Sequence, residues 1–123
     1  ESMVERISKD TLLQLLKGDV GEDAVCVVKF YSNGCHLCHA LKFTYERVSQ
    51  AHKDKEGLYF FAFNIGDAPD LSDHIKVDGT PSICAIHTGK NKRVDILQEP
   101  ADPDPQTWYT EQDIQKFIAR AAR

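Results

Sequence analysis

Apolar residues along this chain gather in runs of strand character, separated by stretches with helical spacing. Ala24 to Tyr31 (AVCVVKFY) and Leu58 to Ile65 (LYFFAFNI) are near-continuous apolar runs rich in β-branched or aromatic residues. That is the pattern of strands covered on both faces. Lys29 interrupts the first. Ser82 to His87 (SICAIH) and Arg93 to Leu97 (RVDIL) are joined through Thr88-Gly89-Lys90-Asn91, turn residues at hairpin spacing. Val4 to Ile7 predicts a short edge strand.

Between the strands the period changes. Ser8, Lys9, Asp10 and Thr11 offer caps before Leu12, Leu13, Leu15 and Leu16, and Gly18 follows as a stop, which predicts a helix over 9–17. Leu37, Leu41, Thr44, Val48 and Ala51 recur at three- and four-residue intervals while Lys42, Glu46, Arg47 and Gln50 fall elsewhere, so Cys35 opens a helix of about four turns. Asp70 to Ile75 reads as a short helix capped by Asp70. Glu99 to Gln106 (EPADPDPQ) holds three prolines and three acids in eight residues, a stiff exposed loop. A terminal helix follows, with Thr110 as N-cap, Asp113 at N3, Ile114, Phe117 and Ile118 inward, and Arg120 and Arg123 at its C-terminal end. The order βαβαβα then ββα predicts an α/β fold: one domain over 1–123 with a mixed central β-sheet flanked by helices.

Composition narrows the partners. The 123 residues carry a formal charge of −4, the basic residues are scattered, and no apolar run nears the roughly 20 residues of a membrane helix. The expectation is a soluble monomer that binds neither nucleic acid nor membrane. Glu1 to Arg6 lacks the basic stretch and apolar core of a secretory signal, and Cys26 and Cys84 sit among apolar residues as free core thiols do. A cytoplasmic location is the corresponding expectation.

The candidate chemistry lies in Asn33 to Lys42 (NGCHLCHALK). Cys35-His36-Leu37-Cys38 is a CxxC pair, Cys35 through His39 spells the CxxCH string of haem attachment, and the density of Cys and His suits zinc. Haem attachment needs a second axial ligand, for which Met3 is the sole Met and His52, His74 and His87 the other candidates, and it favours helical domains over strand-rich ones. Structural zinc wants a second knuckle, and Cys26 and Cys84 have no near partner. A dithiol redox site needs only what is present: a nucleophilic thiol at a helix N-terminus after a buried strand, with a second thiol one turn on. No cofactor is called for.

VVKFYSNGCHLCHALKFTYERV resembles the active-site segment of the thioredoxin family, an apolar strand ending in Phe-aromatic-small before CxxC, and VDGTPSI (Val77 to Ile83) is similar to its second signature. The resemblance implies the thioredoxin fold, Cys35 as attacking thiolate and Cys38 as buried resolving thiol. It also implies a cis Pro81 beside the sulfurs, with the Thr80 backbone open to an extended substrate segment. The implied partners are protein disulfides and a thiol or reductase as electron donor.

Three positions depart from the family's pattern. Gly34 replaces the usual Trp before the dithiol. Lys29 stands where many members carry an acid beneath the second Cys; it either accepts the resolving proton, which requires desolvation to lower its pKa, or snorkels to water. The intervening pair is His36-Leu37, and a protonatable His36 would stabilise the Cys35 thiolate and make the disulfide more oxidising. Trp108 and Tyr109 are expected to pin the last helix, His52, His74 and His87 to lie at the surface, and Tyr59, Phe60, Phe61 and Phe63 to fill both core faces. The functional expectation is a thiol-disulfide oxidoreductase acting through Cys35 and Cys38 with His36, Lys29, Thr80 and Pro81. The alternative is a non-catalytic binding or redox-sensor module, possibly metal-responsive.

Overall fold

The computed structural model describes residues 3–18, 20–71 and 79–122. The long apolar runs become strands: β1 Val4–Arg6, β2 Ala24–Tyr31, β3 Leu58–Asn64, β4 Ser82–Thr88 and β5 Arg93–Ile96. The periodic stretches become helices: α1 Lys9–Lys17, α2 His36–Ala51 and α3 Glu111–Ala121. Short 3-10 turns cover Ile65–Asp67 and Pro69–Leu71; the rest of the helix expected over Asp70 to Ile75 lies outside the described residues, as does His74.

Among the described residues the strands form one five-stranded sheet in the order β1-β3-β2-β4-β5. β1 and β2 run parallel to β3, while β4 is antiparallel to both β2 and β5. Alternation along β2 divides the core. Val27 joins Leu41, Tyr45, Val48, Phe60 and Ile83 on the face covered by α2 and α3, whereas Cys26, Val28 and Phe30 join Leu12, Leu15 and Phe63 on the face covered by α1. By the same parity Lys29 belongs with Val27, under α2.

Local signals fix the helix ends. Ser8 Oγ accepts from Thr11 N at 3.2 Å, and Gly18 ends α1 at φ 74°, donating back to Gln14 and Leu15. Thr110 and Asp113 form a capping box at α3, whose Ile114, Phe117 and Ile118 are buried. Tyr45 anchors α2 to the sheet by donating to the Val27 and Phe61 carbonyls at 3.1 and 2.7 Å.

Two expectations are corrected here. His87 is buried, because it follows Ile83 and Ala85 on the helix-covered face, and it pairs with Asp95 at 2.9 Å. Half-buried His52 stacks on Phe60 and bonds Gln115 at 2.9 Å, so it too is packed rather than free at the surface. Tyr59 is exposed although its strand is apolar, its ring stacked on that of half-buried Phe61. Phe60 and Phe63 fill opposite core faces and Phe61 is half-buried.

Candidate active site

The dithiol segment sits where β2 leaves the sheet. After Tyr31 the chain turns through Ser32, Asn33 and Gly34, with Cys35 N donating to Ser32 O at 3.3 Å. Cys35 is the N-cap of α2 in extended conformation (φ −95°, ψ 101°), and its sulfur accepts from Cys38 N at 3.1 Å. Cys35 and Cys38 are disulfide-bonded, with Cα atoms 5.2 Å apart. Cys35 is half-exposed and Cys38 is buried, so an incoming sulfur reaches the first more readily than the second. The N-terminal partial charge of α2 favours a thiolate at the N-cap once the bond is reduced.

Two side-chain contacts hold the turn in place. Ser32 Oγ lies 3.0 Å from Thr80 Oγ1, and Asn64 Nδ2 donates to Asn33 Oδ1 at 2.8 Å. Asn64 is in turn fixed by accepting from Gly66 N at 2.9 Å. Thr80 leads into Pro81 through a cis peptide bond, and Ser82 Oγ closes that turn on Gly79 O at 2.6 Å. The β2 and β4 ends are thereby joined beside the dithiol.

A cavity of about 410 Å³ opens behind Cys38, walled by Lys29, Tyr31, Tyr45, Glu46, Arg6 and small Ala62. Lys29 does not snorkel to water. It is buried, with Nζ 5.2 Å from the Tyr45 ring centroid and 5.7 Å from that of Tyr31. Desolvation pulls its pKa from 10.5 down to about 8; Glu46 opposes that shift and Lys42 adds to it. A buried amine that is partly neutral near physiological pH thus shares a cavity with the buried sulfur. On the other flank a groove of about 590 Å³ runs from Leu37 over Thr80 and Pro81 to Trp108.

Of the residues singled out in the sequence, Cys35, Cys38, Lys29, Thr80 and Pro81 therefore gather around the two flanks of one disulfide. His36 is exposed in the first turn of α2 and takes no part in the hydrogen bonds described around the dithiol. Ser32, Tyr31, Tyr45 and the Asn33–Asn64 pair were missed. The parity of Val27, Lys29 and Tyr31 on β2 was the signal that would have found the cavity wall. Among the described residues no group of three or more His, Cys, Asp or Glu side chains stands together as a metal site.

A family model described as Thioredoxin matches residues 5–104. The chain belongs to the thioredoxin family. Solved structures similar to this thioredoxin-family chain agree on the fold. They include a J-Trx1 fragment of ERdj5 (TM-score 0.72, 18% identity, covering 96% of this chain and 51% of that one). Chloroplastic thioredoxin z is similar at TM-score 0.70 and 19% identity over 97% and 94% of the two chains. Mitochondrial thioredoxin 3 of Saccharomyces cerevisiae, in its oxidized form, is similar at 0.67 and 17% over 95% and 94%. The chain thus spans about half of the ERdj5 fragment. Comparison with curated proteins finds no match. Family membership together with the Cys35–Cys38 pair supports thiol-disulfide oxidoreductase activity at the family level.

The other two cysteines of this family member are different in kind. Burial pushes the Cys26 thiol up to about 11 and the Cys84 thiol up to about 12, so both stay protonated and act as core-packing residues.

Proposed function

We propose that this chain is a thiol-disulfide oxidoreductase that exchanges protein disulfides through Cys35 and Cys38. The observation that carries this reading is the asymmetry of the disulfide: Cys35 is half-exposed at the N-cap of α2, and Cys38 is buried beside Lys29. In the reduced protein the Cys35 thiolate attacks one sulfur of a substrate disulfide. A mixed disulfide forms and the substrate's other sulfur leaves as a thiolate, which takes up a proton. Lys29, as free amine, accepts the Cys38 proton, and the Cys38 thiolate attacks the Cys35 sulfur. The second substrate sulfur is released, and the protein is left oxidised by the two electrons the substrate gained. A thiol or reductase donor returns the dithiol.

Thr80 and Pro81 form the substrate-facing side, the Thr80 backbone pairing with an extended segment. His36, beside the attacking thiol, raises the fraction of thiolate and so favours the reduced form. The test is a Cys38→Ser variant, which traps substrates as mixed disulfides if Cys35 attacks and Cys38 resolves. Reversible titration of the pair against defined dithiol ratios sets the direction of use: about −270 mV marks a reductant, about −180 to −120 mV an oxidant or isomerase. Absence of both trapping and a two-electron couple would favour a binding or sensor module instead.

A further inference from the structure

The loop between β5 and α3 carries one conformational oddity. Trp108 has φ 67°, the only non-glycine residue at positive φ among those described, and a bulky side chain is a genuine outlier there. The loop is built to hold it. Asp104 and Trp108 exchange two backbone hydrogen bonds at 3.0 and 2.8 Å, and the Asp104 carboxylate accepts from Gln106 N and Thr107 N at 2.8 and 3.2 Å.

The held indole does two things. It packs half-buried against the core beside Tyr109, which anchors the start of α3 as expected, and it also walls the groove that begins at Leu37, between the two cysteines. Beside Gly34, just ahead of the dithiol, the surface is open: a Cβ built there would meet nothing within 4 Å. Among the described residues, Glu99 is the one charged side chain lining the groove, it is exposed, and it has no ion pair.

From this we infer that Trp108 and Glu99 read the flank of the substrate. A segment extended from its disulfide cysteine across Thr80 and Pro81 lays an apolar side chain on the indole and sets a Lys or Arg against Glu99. The occupant is a basic polypeptide segment, by complementarity to the exposed Glu99 carboxylate. The inference rests on the oxidoreductase reading and adds the class of substrate to it. A fixed aromatic offers contact area with little ordering cost, and a rim carboxylate selects by charge and steers encounter.

The test compares disulfide-linked dimers of a short peptide that differ only in a Lys or a Glu at successive positions beside the cysteine. The expected kcat/KM favours the Lys peptide by about 5-fold at low salt, with the preference fading at high salt. Glu99→Gln removes that preference and Glu99→Lys reverses it. Trp108 is the chain's sole Trp, so its emission is a direct reporter. In a Cys35→Ser, Cys38→Ser protein, a cysteine-free Lys peptide shifts the emission at lower concentration than its Glu counterpart. Equal rates for both peptides with unchanged emission, in a protein that still reduces hydroxyethyl disulfide, overturn this inference alone. Failure to reduce even hydroxyethyl disulfide overturns the oxidoreductase reading with it.

Discussion

The hydroxyls of Ser32 and Thr80 lie 3.0 Å apart and join the turn that precedes the dithiol to the turn that precedes Pro81. They are 48 positions apart in sequence, so this contact reports tertiary assembly of the site. A neutral hydrogen bond of this kind contributes about 1 kcal/mol. In a double-mutant cycle, Ser32→Ala and Thr80→Val should show a coupling of about 0.5 to 1.5 kcal/mol by urea unfolding. Strictly additive losses would mean that the two hydroxyls act independently.

Lys29 should cost the folded protein stability at neutral pH. The unfolded chain holds this proton up to about 10.5, whereas the folded chain releases it near 8. Between those values the unfolded state binds more protons, so this group's contribution rises with pH; below 8 its desolvation penalty stands in full. Lys29→Met should therefore be the more stable protein at pH 7 by up to about 3 kcal/mol, and the gap should close toward pH 10.5. Arg6 on β1, Tyr31 on β2, and His39, Lys42, Tyr45 and Glu46 on α2 also wall this cavity and stay the same in both proteins. The raised Tyr45, Cys26 and Cys84 oppose the trend above about pH 9 in both, so the difference between the two unfolding curves isolates Lys29. A gap independent of pH would show that Lys29 keeps its ordinary proton affinity.

Kinetics should separate the amine's chemical role from its stability effect. If Lys29 receives the Cys38 proton, release of a preformed mixed disulfide on Cys35 should speed up through pH 8 as the amine becomes free. Lys29→Met should slow that release by about a hundredfold, the low end for a positioned base. Attack by Cys35 on a fresh disulfide should be far less affected. Stopped-flow mixing with a chromogenic disulfide resolves the two steps, and equal slowing of both would assign Lys29 to general electrostatics.

Tyr45→Phe should lose about 1 to 3 kcal/mol, because the carbonyls of Val27 and Phe61, the first bond buried and the second partly so, are deprived of their shared phenolic donor. The ring beneath Lys29 remains. Thermal unfolding measures the loss, and an unchanged midpoint would mean that water replaces the hydroxyl without cost.

The sheet was legible because its strands are written in long apolar runs: Ala24 to Tyr31 was placed to the residue, and Cys35 fell at the very cap of α2. Side-chain surroundings were less legible, since they depend on which neighbour covers each face. Lys29 reads as a break in an apolar run until α2 is known to lie over the odd residues of β2. His87 reads as a polar strand end until Asp95 is found on the adjacent strand, where the carboxylate, despite partial desolvation, is held below its ordinary pKa by His87 and Arg93. Tyr59 misleads in the opposite direction: it sits in an apolar run yet stays exposed. The role of Trp108 beside the groove depended on a loop closure with no periodic signature.

On the function proposed above, the two hollows would divide the traffic of the disulfide. One holds the amine and the buried sulfur, while the other opens along Leu37 and Pro81. Polypeptide and proton would then come and go by separate doors. A small anion lodged behind Cys38 should not compete with substrate; it should lower the maximal rate at every substrate concentration and leave covalent complexes stalled on Cys35. An inhibitor that substrate displaces would show that the two doors open into one room.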